Sequence, residues 1–271
     1  MPGTRRNLMR FFILVLAALM TAGGGCREPQ SLTQVRTIDG LGGGDASAPS
    51  VSDIGPTQPS DAGPIRMEVL DPHEQPPTFV MRGGPRGPAR LVFLHGMCGH
   101  GLGYAQAFQW SASEKGTLVA PQGDRPCGGP WSAWSSDLDA LDARIVAAFH
   151  ALGHRDPIDD IVIMGYSQGA MRAEALARKW PARYTRLVLM SAPAIVSSRG
   201  LGSVRAAVMM AGERDRQDRM KMGVRVMLAA GIPSTYIMIP EATHGAMGPV
   251  PEKTMSEALN WLWMHQKPLA P

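Results

Sequence analysis

From residue 65 onward, short apolar runs alternate with longer stretches in which apolar residues recur every three or four positions. The first pattern predicts strands and the second predicts helices. Residues 66–70 and 78–82 read as an opening hairpin. Strands follow at 90–94, 117–120, 161–164, 186–190, 204–211 and 235–239, and helices at 137–152, 168–180, 217–230 and 252–265. The first of these helices places Leu138, Leu141, Ile145, Val146 and Phe149 on one face. Ser135 and Ser136 are its cap candidates, and Asp137 and Asp139 put acids in its first turn, where the helix dipole favours them. Strands that are apolar throughout and separated by helices are buried on both faces. That implies an α/β domain with a mostly parallel central sheet and helices on both sides. In such sheets the working residues sit in loops just past the C-terminal ends of strands.

The segment before residue 65 follows a different pattern. Arg5, Arg6 and Arg10 precede an apolar run of ten residues, Phe11 to Met20, which is too short to span a bilayer. Small residues then lead to Cys26. This reads as a signal peptide over residues 1–25, and it resembles the lipobox of bacterial lipoproteins, in which the cysteine after the cleavage site is lipidated. Ordinary secretion with cleavage near Gly25 is the alternative. Residues 26–64 are rich in Gly, Pro, Ser, Asp and Ala and cannot bury enough apolar surface to offset their ordering entropy, so they read as a flexible linker. The globular part is then residues 65–271. The net charge of +4 drops to 4 − 3 = +1 once the three arginines of residues 1–25 are removed. No Lys/Arg cluster interleaves with aromatics, so no nucleic-acid partner is expected. No His/Cys/Asp/Glu group has metal-ligand spacing, and neither a metal nor a cofactor is expected.

Gly165-Tyr166-Ser167-Gln168-Gly169 is a G-x-S-x-G pentapeptide between a predicted strand and a predicted helix. A strand, a sharp turn and a helix are the setting of a nucleophile elbow, where glycines allow the serine's backbone to come close to its neighbours. A serine hydroxyl needs a base, and the base needs an orienting acid. Two later strands run into Gly212-Glu213-Arg214-Asp215 and into Thr243-His244-Gly245. Asp215 and His244 are therefore the candidate acid and base, with Glu213 and Asp218 as rival acids.

These residues carry a family resemblance. With Leu94-His95-Gly96, Ala120-Pro121-Gln122-Gly123, the elbow, Gly212–Asp215 and Thr243-His244-Gly245, the stretch from about Arg90 to Lys267 resembles the α/β-hydrolase superfamily. Within it, the chain looks most like the secreted esterases grouped with poly(3-hydroxybutyrate) depolymerases and feruloyl esterases, or like the dienelactone-hydrolase group. The resemblance implies an α/β-hydrolase fold with Ser167 as nucleophile. It implies an oxyanion hole from the backbone N–H groups of Met97 and Gln168, with His95 as a structural histidine. It also implies a disulfide between Cys98 and Cys127 near the site, the alternative being two unpaired thiols. Trp131 and Trp134 either line a substrate pocket or pack their loop onto the body, and Tyr166 is a further candidate for lining the pocket. Met209, Met210, Met220 and Met222 read as core packing, and Met247 as a possible pocket contact.

The expectation is thus an exported serine esterase, anchored to a membrane through lipidated Cys26 and acting on small-molecule or polymeric esters. Peptide cleavage or acyl transfer on the same triad, and a non-catalytic surface binding module, are the alternatives.

Overall fold

Side chains alternate sides along a strand, and in this protein the alternation divides the core in two. Leu94, Ile163 and Leu189 join one apolar cluster, and their sequence neighbours Phe93, Met164 and Val188 join the other. The computed structural model describes residues 34–37, 65–71, 75–84 and 88–268. The signal segment, Cys26 and most of the 26–64 linker lie outside the described residues.

In chain order the elements are β1 (Gln34–Thr37), β2 (Met67–Asp71), β3 (Thr78–Met81), β4 (Ala89–Leu94), α1 (Gly101–Gln106), α2 (Gln109–Lys115), β5 (Gly116–Pro121), β6 (Arg125–Gly128), β7 (Trp131–Ala133), α3 (Leu138–Ala151), β8 (Ile161–Tyr166), α4 (Gln168–Lys179), β9 (Tyr184–Met190), β10 (Ala206–Gly212), α5 (Asp218–Ala229), β11 (Ser234–Ile239) and α6 (Pro251–His265). The main sheet has the order β1-β2-β3-β5-β4-β8-β9-β10-β11. β1 to β3 pair antiparallel, β3 runs antiparallel to β5, and every pairing from β5 to β11 is parallel. Helices α3, α4 and α5 bury Leu141, Ile145, Leu176 and Met220 against one face. On the other, α1, α2 and α6 bury Leu102, Ala112, Met255 and Leu259.

Several expectations need correction. Within the stretch read as a linker, residues 34–37 pair with β2, which would otherwise expose a row of unbonded backbone groups at the sheet edge. Helix α3 is capped by Asp137 itself, whose carboxylate accepts the Ala140 N–H at 2.9 Å, and neither Ser135 nor Ser136 takes that role. Met222 is exposed, whereas Met209, Met210 and Met220 are core residues as expected. Met247 is buried in the second cluster rather than free to touch a ligand. On either side of the expected strand at 117–120, which is β5, residues 97–115 and 122–136 were given no element, and they hold α1, α2 and the β6–β7 hairpin. These pieces are short and are held from a distance. The Glu252 carboxylate on α6 accepts the N–H groups of Trp110 and Ser111 at 2.8 Å, satisfying the first turn of α2.

Candidate active site

β8 ends at Tyr166 and α4 starts at Gln168, so Ser167 alone turns the chain, with φ 50° and ψ −112°. A serine backbone in this region is strained and persists only where its surroundings hold it. Its N–H donates to Met190 O at 2.8 Å, tying the turn to the end of β9. The two glycines of the pentapeptide allow close packing. A methyl group on Gly165 would overlap the Gly169 carbonyl, and one on Gly169 would overlap the Leu94 carbonyl.

His244 follows β11 and Asp215 follows β10. The Ser167 hydroxyl lies 3.2 Å from His244 Nε2, and His244 Nδ1–H donates to Asp215 Oδ2 at 2.9 Å. With Nδ1 committed as a donor, Nε2 of the neutral ring is left as an acceptor facing the serine. The second Asp215 oxygen accepts the Arg216 N–H at 2.7 Å. Burial pushes the Asp215 carboxyl up, but the Ser191 hydroxyl, the Arg216 N–H and His244 together hold it below the usual carboxylate range. The rival acids turn elsewhere: Glu213 accepts the Glu241 N–H, and Asp218 faces Arg216. The His244 side chain is 54% exposed, so the Ser167 side of the site is open to solvent.

The loop after β4 lies directly against the elbow. A Cβ on Gly96 would sit 3.5 Å from Ser167 Cβ. Met97 follows, with its side chain 69% exposed. Among the described residues, neither the Met97 N–H nor the Gln168 N–H donates to another protein group. His95 anchors this loop from below. Its Nδ1–H donates to Gly96 O at 2.7 Å and its Nε2 accepts the Gly123 N–H at 2.9 Å. Burial drives this imidazole down to about 4, the Gly96 bond opposing only in part, so the ring is neutral at pH 7 in a single tautomer. Gln122 adds a second tie. Its carbonyl accepts the Gly101 N–H at 2.9 Å, and its amide nitrogen lies 2.7 Å from Ser132 Oγ and 3.1 Å from Gly99 O. The Cys98–Cys127 disulfide joins the same loop to the β6–β7 hairpin.

No family model matches the sequence, and a search of curated proteins found no match. Solved structures do resemble it. The fluorophosphonate-binding serine hydrolase F of Staphylococcus aureus superposes with a TM-score of 0.57 at 14% identity, covering 74% of this chain and 99% of that one. A variant of the esterase rPPE gives a TM-score of 0.56 at 14% identity, covering 76% and 83%. A membrane phospholipase A described as a bacterial virulence factor gives 0.52 at 15% identity, covering 74% and 86%. The protein has the α/β-hydrolase fold.

In this α/β-hydrolase fold, two of the three residues expected to line a pocket do other work. Trp134 is 4% exposed, its Nε1–H donates to His95 O at 2.7 Å, and its ring packs 4.7 Å from the His95 ring. Its backbone also exchanges two hydrogen bonds with the Gln168 side chain, at 3.1 and 3.2 Å. Trp134 is therefore a support beneath the loop after β4 and not a pocket wall. Tyr166 is 1% exposed and lies under the His244 ring at a centroid distance of 5.6 Å. Its Oη accepts the Gly245 N–H at 2.7 Å, while the Tyr104 hydroxyl donates to Gly245 O at 3.0 Å. The two stacked tyrosines thus grip both sides of the residue after His244. Trp131 stays half-buried on the hairpin, edge-on to His100.

Tyr104 and Gln122 went unassigned in the sequence. Gln122 carried a signal, the Ala120–Gly123 motif. Tyr104 had none, because its partner lies in a distant segment. Among the described residues, no group of three or more His, Cys, Asp or Glu side chains could hold a metal ion.

Proposed function

We propose that this protein is a serine hydrolase that cleaves carboxylic esters through a Ser167–His244–Asp215 triad and an acyl-enzyme. The observation carrying this reading is the continuous line of donors and acceptors from Ser167 Oγ through both His244 nitrogens to Asp215 Oδ2, at 3.2 and 2.9 Å. The solved structures that resemble the chain include proteins described as serine hydrolases and esterases, which supports it further.

The Ser167 oxygen attacks the acyl carbonyl as His244 Nε2 takes its proton. Asp215, held below the usual carboxylate range and so ionised at pH 7, stabilises the resulting imidazolium. The tetrahedral oxyanion accepts the N–H groups of Met97 and Gln168, the latter at the start of α4, where the helix dipole favours negative charge. Collapse of this intermediate breaks the bond to the alkoxy oxygen, which leaves as the alcohol with the proton from His244 Nε2–H. Water, deprotonated by His244, then attacks the acyl carbonyl of the Ser167 ester; the carbonyl–Ser167 Oγ bond breaks, His244 returns the proton to Ser167 Oγ, and the acid is freed. Replacing Ser167 by Ala removes the nucleophile, so p-nitrophenyl ester hydrolysis and fluorophosphonate labelling should both vanish. Hydrolysis by the variant at the wild-type rate overturns the reading.

We also infer that the protein is exported and held at a membrane by lipid on Cys26. The apolar N-terminal run with its arginines supports export, as does a disulfide, which persists in oxidising compartments. Palmitate incorporation that persists in Cys26→Ser protein removes the anchor.

A further inference from the structure

The edge strand β1 begins at Gln34, only eight residues after Cys26. It belongs to the same compact unit as the rest of the sheet. A lipid on Cys26 is therefore joined to the folded domain by a short tether, and not by the whole Gly/Pro-rich stretch up to residue 64. Eight residues span at most about 28 Å when fully extended. As a flexible coil they average about 15 Å.

Strand directions decide where that tether leaves the domain. β3 runs antiparallel to β5, β2 antiparallel to β3, and β1 antiparallel to β2. Three reversals set β1 against the parallel strands, so its first residue lies at the end where those strands finish. The register agrees. Gln34 pairs with Asp71, Leu70 with Thr78, and Thr78 with Pro121, the last residue of β5. Ser167, Asp215 and His244 follow β8, β10 and β11 at that same end. From β1 to β8 the sheet order makes five steps of about 4.8 Å, which puts the elbow about 24 Å across the sheet from the root of the tether.

Size then limits how an anchored domain can stand. A domain of about 200 residues is about 40 Å across. With the triad turned away from a bilayer, Gln34 would stand about 30 Å above it, half the domain width plus half a strand length. That is beyond the tether even at full stretch. With the catalytic end towards the bilayer, a relaxed tether suffices. This end presents Met97, 69% exposed beside the elbow, and Val250, 39% exposed at the start of α6. Met264, at the other end of α6, is exposed as well, so strand direction and tether length decide the orientation, and apolar exposure does not.

We propose that the end of the sheet carrying the triad faces the bilayer that holds the Cys26 lipid, and that the substrates are carboxylic esters with lipid acyl chains dissolved in that bilayer. The proposal rests on the triad and anchor readings above and adds to them a substrate class and a facing surface.

Val250 and Met264 mark the two ends of α6, about 21 Å apart along its axis. The far end is fixed near the start of β9, where Arg186 Nε–H donates to Gln266 Oε1 at 2.7 Å. With Cys26 lipidated and Cys98 bonded to Cys127, Val250→Cys or Met264→Cys supplies a single free thiol for a fluorescent donor. Each full-length, lipidated variant is reconstituted in vesicles of equal parts phosphatidylethanolamine and phosphatidylglycerol that contain an acceptor-labelled lipid. The rate of energy transfer from residue 250 should be at least about twofold that from residue 264, given a separation of about 21 Å. Equal transfer, or more from residue 264, overturns the proposal. Inserting about twenty Gly/Ser residues between Ser31 and Leu32 frees the orientation and should abolish the difference. It should also lower turnover of p-nitrophenyl palmitate carried in the vesicles at least about threefold, and leave that of p-nitrophenyl acetate within about 1.5-fold. Unchanged palmitate-ester turnover overturns the proposal, as does wild-type protein that cleaves the acetate and leaves the vesicle-borne ester intact. Wild-type protein that neither cleaves the acetate nor labels with fluorophosphonate fails the triad reading, and the substrate class falls with it, while energy transfer still reads the orientation. Cys26 without lipid fails the anchor reading and overturns the facing surface.

Discussion

The indole N–H of Trp134 donates to the carbonyl oxygen of His95 at 2.7 Å, from a ring that packs against the His95 imidazole. This bond reaches the backbone one residue before Gly96 and two before Met97, in the loop placed against Ser167. Trp134→Phe keeps a ring of similar shape and leaves the buried carbonyl unpaired, which costs about 1–3 kcal/mol. We expect a lower urea midpoint and a kcat reduced about tenfold with little change in KM. Unchanged kcat in a destabilised variant would show that the indole supports the fold alone.

His95 also sets a pH dependence. The folded protein keeps this ring neutral down to about pH 4, whereas the unfolded chain protonates it near its ordinary value of 6.5. As pH falls through that window the unfolded state binds a proton that the folded state does not, so stability declines. The full contribution is present above 6.5, and about 3 kcal/mol is lost by pH 4, at about 1.4 kcal/mol per unit. His100 and His154, both lowered by burial, act in the same direction. Urea unfolding between pH 7.5 and 4.5 should show this decline, and His95→Asn should flatten it. A variant whose slope matches wild type would assign the decline to other groups.

The Cys98–Cys127 bond closes a loop with a sequence separation of 29 and adjoins Met97. On the chain-entropy account, a loop of that length stabilises by about 3–4 kcal/mol. The Cys98→Ser/Cys127→Ser double variant should melt lower and lose kcat, because the loop after β4 that lies against Ser167, and to which the proposed function gives one oxyanion donor, is less tightly held. Dithiothreitol should reproduce both effects on wild-type protein and leave the double variant unaffected.

Gly169→Ala tests the elbow itself. The added methyl collides with backbone rather than with a flexible side chain, so α4 must move away from β4. A displacement of about 1 Å at a reacting group can cost about a hundredfold in rate. We expect at least that loss per folded molecule, measured after titrating active sites with fluorophosphonate. Near-normal turnover would mean that Ser167 tolerates a shifted backbone.

Periodicity along the chain was enough to locate nearly every long element, because strands buried on both faces and helices with one apolar stripe leave strong local patterns. The G-x-S-x-G turn, with an acid and a histidine each just past a later strand, was legible for the same reason: each residue is marked by the element it follows. What flanks β5 between residues 97 and 136 was not. There the elements are short, and their hydrogen bonds come from Glu252, Gln122 and Trp134, which lie up to 142 positions away. Distance along the chain also hid the tyrosine grip on Gly245. A buried polar group is defined by its partner, and only folding decides which segments meet. The sequence alone thus determined the order of the longer strands and helices and the types of side chain at the candidate site. The tertiary structure decided which aromatic residues support the site from beneath, and it brought a hydroxyl, an imidazole and a carboxylate within hydrogen-bonding range of one another.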